Sequence, residues 1–379
     1  MRPCRLQMMG KWVIQPFRAF LQVKIKCKLV MLLTILFLLD PLSVKATVSV
    51  SAEHAVLMDQ TSGRVLYQKG ADDPALIASI TKVMTAIIAI EQGNLNDSVN
   101  ISDHAIKAEG SSIYLEKKDK FTLEELLYGL MLRSGNDAAI AISEHIAGSE
   151  QGFTYLMNEK AAWLGMTNTH FDNPHGLDSD THYSTAYDMA LLMKYAVENE
   201  TFQTISATSS YQPKARDYAW INKNKLLTKL YGQSTGGKTG YTKAAGRTLI
   251  STAEKENQTL IAVTLNAPND WQDHMQLFEW GFDHYPLQLL QEKEEITLKQ
   301  SDQLLSATIT TPLYYPLTET EMDKISYKNL VSSSPQSFQR LGMRVFYLDQ
   351  QAIASTAFYQ KSEQEEPTFW QKVFGERHD

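Results

Sequence analysis

Between residues 77 and 195 apolar positions recur every three or four residues, the period of helices that bury one face. "ALIASITKVMTAIIAIEQG" brings Ile77, Ile80, Met84, Ile87 and Ile88 to one side of a single helix. "TLEELLYGLML" and "TAYDMALLMKYAVE" repeat the pattern, and loops of Gly, Asn, Asp and Pro separate the helices. On either side the period drops to two. "AVLMDQTSGRVLYQKG" sets two short apolar stretches around Thr61-Ser62-Gly63 and predicts a β-hairpin. "GRTLISTAEKENQTLIAVTLN" predicts two strands joined by the polar turn "EKENQ". Strands at both ends of a helical middle predict one α/β (α+β) domain over residues 47–285, an antiparallel sheet with a helical insertion. From about residue 290 to 360 the texture is β-rich without a long helix, as in "ITLKQSDQLLSATITTPLYYPL" and "GMRVFYLDQQAIASTAFY". That stretch predicts a second, all-β domain.

The two ends differ from this body. Residues 1–46 hold Arg2, Arg5, Lys11, Arg18, Lys24, Lys26 and Lys28, then the apolar run Leu29 to Leu39, then "DPLSVKA" with Val44 and Ala46 at small-residue cleavage positions. This is the layout of a secretory signal peptide. The apolar run falls well short of the roughly 20 residues of a membrane-spanning helix; an uncleaved anchor is the other reading. Residues 361–379 form an acidic linker and a short tail in which Phe369, Trp370, Val373 and Phe374 share a helical face. That face suits weak attachment to a membrane surface, and equally a frayed terminal helix.

Composition narrows the function. With 43% hydrophobic and 21% charged residues and no repeat or low-complexity tract, the chain is globular. The formal charge is −7, and loss of residues 1–46, with eight basic residues and one acidic one, makes the rest more acidic. Such a chain is a poor nucleic-acid binder. Both cysteines, Cys4 and Cys27, lie in the predicted leader, so the exported chain has neither disulfide nor thiol chemistry.

The candidate chemistry begins inside the first helical stretch. Lys82 stands three residues after Ser79, one helical turn along the same face. An amine buried among Ile and Met side chains is pushed toward its neutral form, and a neutral amine beside a hydroxyl is a general base beside a nucleophile. S-x-x-K alone is weak, since chance supplies roughly one or two in a chain of this length. Two further motifs strengthen it. "MLRSGNDAA" places Ser134-Gly135-Asn136 at a break after a helix ending near Leu132, and "STGGKTGYT" places Lys238-Thr239-Gly240 where a strand should begin. Ser-x-x-Lys, Ser-x-Asn and Lys-Thr-Gly, in that order on a helix, a loop and a strand, form the motif set of penicillin-binding proteins and class A β-lactamases.

On these motifs, and on "DQTSGRVLY", "EGSSIYL", "FDNPHGLDSDTHYSTAYDMA", "INKNKLL" and "AGRTLIS", the chain resembles the penicillin-binding D-alanyl-D-alanine carboxypeptidases of the bacterial cell wall. The likeness is to forms from spore-forming Gram-positive bacteria, and it runs from about Val48 to Tyr285. It implies the serine β-lactamase/transpeptidase-like fold, a C-terminal β-sandwich over residues 290–360, no cofactor and no metal. It implies a peptidoglycan stem peptide ending in D-Ala-D-Ala as substrate and β-lactams as inhibitors. Ser79 is expected to attack, Lys82 to take its proton, Ser134 to relay a proton to the leaving amine, and Asn136 to hold the substrate amide and Lys82. Lys238 and Thr239 are expected to receive the free carboxylate, Gly240 to let the strand approach, and the N–H groups of Ser79 and Tyr241 to form the oxyanion hole. Lys223 adds a second positive charge or is simply a solvated lysine.

Other readings share residues with this one. "HFDNPHGLDSDTH" carries His170, Asp172, His175, Asp178, Asp180 and His182, but in a loop with no metal-site spacing. A class A β-lactamase deacylates with a glutamate after the S-x-N element, and none lies between Ala161 and Val197. A wall-peptide binding module would lack a catalytic position, and none is missing. A D,D-endopeptidase or transpeptidase starts from the same acyl-enzyme and stays open at this point.

Overall fold

The structure is a computed structural model that describes residues 48–300, 303–332 and 340–360. The predicted leader and the tail bearing Phe369, Trp370, Val373 and Phe374 lie outside the described residues.

The expected hairpin is β1 (His54–Asp59) paired antiparallel with β2 (Val65–Lys69). Between them Asp59 Oδ1 accepts from the N–H and hydroxyl of Ser62, which closes the turn. The helical part follows: α1 (Lys82–Gln92), α2 (Leu123–Tyr128), α3 (Asn136–Ala147), α4 (Glu150–Leu164), α5 (Ala186–Ala196) and α6 (Glu200–Ala207). Side-chain caps at Thr122, Ser149, Thr185 and Asn199 take orphan N–H groups at four of these starts. The chain then forms the two-residue strands β3 (Ser210–Tyr211) and β4 (Trp220–Ile221), and returns to the sheet as β5 (Ser234–Thr242), β6 (Gly246–Lys255) and β7 (Gln258–Leu265). Helix α7 (Asp270–His284) closes the domain.

The sheet has five antiparallel strands in the order β2-β1-β7-β6-β5. Its two faces are sorted by side-chain alternation. Val56, Met58, Ile250, Ile261 and Val263 point into the larger core with α1 to α6, whereas Leu57, Leu249, Leu260 and Ala262 pack with Leu277 and Phe278 of α7. Helix α1 is buried from Lys82 through Ala89, so it runs through the core rather than over it.

Two local expectations change. The stretch from Ile77 is not one helix: Ala78–Thr81 form a 3-10 turn and the α-helix begins at Lys82. Ala78 sits at φ 48, and Thr248 of β6 donates to the Ile77 carbonyl at 2.9 Å, so the sheet holds this turn out of helical geometry. Nor does the strand begin at Lys238. Gly236 and Gly237, at φ 155 and φ 135, lie inside β5 beside a register shift, and a Cβ on Gly237 would stand 2.3 Å from the Ile250 carbonyl. This glycine pair marks a bulge rather than a strand start.

The C-terminal all-β domain holds β8 (Leu287–Gln291), β9 (Glu294–Gln300), β10 (Gln303–Ile309), β11 (Leu313–Pro316), β12 (Ile325–Val331), β13 (Arg340–Leu348) and β14 (Gln351–Gln360). Five of these make an antiparallel sheet in the order β12-β13-β14-β10-β9, and β8 pairs with β11. Arg64, in the β1–β2 turn, reaches this domain. It donates to the Pro316 carbonyl and pairs with Glu321, both at 2.6 Å, and its guanidinium lies over the rings of Tyr285 and Tyr315. Among the described residues no helix is long and apolar enough to cross a membrane.

Candidate active site

The three motifs converge from the turn before α1, the break before α3, and edge strand β5. Lys82 Nζ lies 3.0 Å from Ser79 Oγ, 2.7 Å from Asn136 Oδ1 and 2.5 Å from the His175 carbonyl oxygen. Asn136 is fixed in its orientation because its amide nitrogen donates to the Glu109 carbonyl. Lys238 Nζ donates to Ser134 Oγ at 3.0 Å and to the Thr239 carbonyl at 2.6 Å.

Local backbone explains these placements. Helix α2 runs into a π-turn at Gly129–Arg133 and stops at Ser134, which is left-handed at φ 64. This break swings the Ser134 hydroxyl toward Lys238 and lets α3 restart at Asn136. Gly240 has no room for a side chain: a Cβ there would stand 2.8 Å from the Ser79 nitrogen and 2.4 Å from Thr248 Oγ1. Gly176, at φ 87, presses on the other side of the same turn, where a Cβ would meet the Ala78 carbonyl oxygen at 2.0 Å. Strand and loop thus clamp the Ser79 turn between two glycines.

The electrostatics follow from burying cations together. Lys82 and Lys238 are fully enclosed. Burial first, then the charges of Lys238 and Lys223, hold the Lys82 amine well below the usual lysine range, with Asp137 opposing. Burial and then Lys223 push Lys238 down to about 7. Lys223 itself is lowered by burial and by Arg133, and its Nζ lies 3.3 Å from Ser111 Oγ. A cleft of about 320 Å³ opens over the site, lined by Ser79, Ser134, Lys223, Thr239, Gly240 and Tyr241 among others. Lys223 therefore faces the cleft. Tyr241 lines the cleft and is 65% exposed.

Several site residues carried no motif. Asp137, next to Asn136 and buried, accepts from Ser112 Oγ and from the N–H groups of Ile113 and Leu115. It holds the "EGSSIYL" segment against the cleft. Arg247 makes a two-toothed pair with Asp270 at the cleft wall beside Trp271. Several side chains of the 170–182 loop brace it or tie it to its neighbours. Asp172 accepts from Ser179 and Thr181, His182 Nε2 meets Thr81 Oγ1 at 2.9 Å, and Asp178 accepts from Thr242.

Comparison with known proteins agrees with this geometry. Residues 41–269 match the peptidase S11 family, described as D-alanyl-D-alanine carboxypeptidase. The D-alanyl-D-alanine carboxypeptidase DacF of Bacillus subtilis is 32% identical over 350 residues, covering 86% of this chain and 90% of the relative. DacA of Escherichia coli is 30% identical over 366 residues, with 88% and 90% covered. The solved structure of penicillin binding protein 5 from Haemophilus influenzae superposes with a TM-score of 0.70 at 26% identity, covering 82% of this chain and 97% of that one. The chain belongs to the peptidase S11 family of D-alanyl-D-alanine carboxypeptidases.

Proposed function

We propose that Ser79 is the nucleophile of this D-alanyl-D-alanine carboxypeptidase and Lys82 its general base, acting on the terminal peptide bond of peptidoglycan stem pentapeptides. One observation carries the assignment. Two of the three partners of Lys82 Nζ, Asn136 Oδ1 and the His175 carbonyl, can only accept hydrogen bonds. They take the two N–H bonds of a neutral amine, which leaves its lone pair directed at Ser79 Oγ.

Ser79 gives its proton to Lys82 as Oγ attacks the penultimate D-alanine carbonyl. The oxyanion is met by the N–H of Ser79 and that of Tyr241 on the edge strand. The C–N bond then breaks, the proton passes from Lys82 through Ser134 to the leaving amine, and D-alanine departs. Water attacks the ester, Lys82 accepts its proton, and that proton returns to Ser79 as the acid leaves. Lys238 and Thr239 hold the terminal carboxylate, with Lys223 adding charge, and Asn136 holds the substrate amide. The edge position of β5 lets the peptide add as one more strand.

Intact-mass spectrometry with benzylpenicillin tests the assignment. The protein should gain one penicillin and keep it over many minutes, and Ser79→Ala should gain none. An adduct on Ser79→Ala, or a folded protein that binds penicillin but releases no D-alanine from a pentapeptide, overturns it.

Enzymes of this family act outside the cytoplasm. The finer location rests on sequence: a cleaved leader, and a tail whose Phe369, Trp370, Val373 and Phe374 add weak contact with the membrane surface. An unchanged membrane-bound fraction after deletion of residues 367–379 removes the tail from this reading.

A further inference from the structure

The His175 carbonyl that orients Lys82 belongs to a loop, so something must hold that loop. Asn173 Oδ1 accepts the N–H of Gly176 at 2.7 Å, Asn173 Nδ2 donates to the Leu177 carbonyl, and Thr85 donates to the Pro174 carbonyl. These bonds set the shape of the turn. The imidazole of His175 adds another constraint: its Nδ1 accepts the N–H of Leu177 at 3.2 Å, folding the ring back over its own turn. A nitrogen that accepts a backbone N–H carries no proton, so the proton of the neutral ring sits on Nε2. Nε2 lies 3.4 Å from Glu150 Oε1.

Glu150 is the first residue of α4, directly after the N-cap Ser149, where the helix favours an anion. Its other oxygen lies 2.9 Å from Nε2 of His104, which is largely exposed. A polar chain therefore runs from solvent through His104, Glu150 and His175 to the catalytic lysine. We propose that Glu150 is a positioning residue for the Ser79–Lys82 pair: by facing Nε2–H it selects the His175 tautomer that accepts from Leu177, and so fixes the carbonyl that aims the lysine. The inference rests on Ser79 and Lys82 as nucleophile and base. The titratable groups that face the ring are Glu150 of α4, His104 of the short helix Asp103–Ile106, and Lys82 of α1, with His182 of the same loop nearby. Burial keeps His175 itself neutral more readily than a free histidine.

The test compares Glu150→Ala and Glu150→Gln in the full chain, reading benzylpenicillin acylation as a first-order constant k2 and a non-covalent constant K′. Glutamine still offers an oxygen to Nε2–H, and alanine does not. Glu150→Ala should lower k2 roughly tenfold, the scale of a small misplacement of a reacting group, with K′ within about twofold, and Glu150→Gln should restore most of k2. Unchanged k2 in Glu150→Ala overturns the proposal, and so does equal damage in both variants, because acceptance at Nε2 is then not what matters. If Glu150→Ala does not fold, Glu150→Met, which fills the space without accepting, takes its place in the same comparison. Failure of the wild type to acylate on Ser79 would instead overturn the underlying assignment, so the two failures are distinct.

Discussion

The ammonium of Lys238 donates to the Ser134 hydroxyl at 3.0 Å, which ties the K-T-G strand to the break between α2 and α3. The same ammonium is the one that meets the substrate carboxylate in our assignment, and burial has brought its pKa down to about 7.

That pKa predicts the alkaline side of the rate profile. Below about 7 Lys238 is charged and can bind a carboxylate, and as pH rises through 7 the free enzyme loses that cation. Lys82 works in the opposite sense, since the base of our assignment must be neutral. The ratio kcat/KM for a D-Ala-D-Ala peptide should therefore start to fall from near pH 7 upward, while kcat falls later because bound carboxylate favours the charged lysine. Lys238→Arg, always charged, should be slower overall and lack this limb. An identical alkaline limb in both proteins would assign it to another group.

Gly240→Ala should cost about a hundredfold in acylation rate while leaving the far-UV circular dichroism unchanged. The added Cβ would stand 2.8 Å from the Ser79 nitrogen, so the turn carrying the proposed nucleophile must move. Stopped-flow acylation measures it, and wild-type kinetics would contradict the clamp.

Arg64→Ala should loosen the C-terminal domain without touching the chemistry. The side chain makes a half-buried pair with Glu321, a bond to the Pro316 carbonyl and two ring contacts, together worth on the order of 2 kcal/mol. We expect faster proteolysis near residues 286–317 and an unchanged kcat. Equal protease resistance would show that other contacts dominate the joint.

The histidines predict acid sensitivity. Burial holds His182 down to about 4 and His274, clasped by Ser251 and Thr264, down to about 3. Between the unfolded value near 6.5 and these folded values the unfolded chain binds more protons, so stability rises with pH in that window. Lowering the pH from 6.5 to 4 should cost on the order of 3 kcal/mol through His182 alone. Urea melts of wild type and His182→Asn across that range check it: the variant should show the shallower slope.

What could be read from the sequence was what is local. The β1–β2 hairpin, the β6–β7 pair and the helices around Leu126 and Met189 follow from period and turn chemistry, and the motif residues from their spacing. Contacts without a period were silent. Asp137 looks like any acid in the first turn of a helix, yet it accepts N–H groups from a segment more than twenty residues earlier. Glu150 lies before the stretch from Ala161 to Val197, where a class A β-lactamase carries its deacylating glutamate, and only the fold brings it to His175. The turn at Ser79 reads as helix because its apolar spacing is helical; the strain at Ala78 comes from β6 and from Gly176, far away in the chain.

The pairing of β1 with β7, His54 opposite Leu265, bears on how the molecule is made. Each side of that seam is built from near neighbours, but the seam itself joins segments about two hundred residues apart, and closing so long a loop is slow. Until residues 258–265 have emerged, β1 has no partner on its inner edge, and until Thr248 has emerged the Ser79 turn lacks the β6 hydroxyl that holds it. A chain delivered amino end first therefore completes this sheet late in its synthesis. Penicillin labelling, which in our assignment needs Ser79, Lys82 and β5 together, should appear only once that seam has closed.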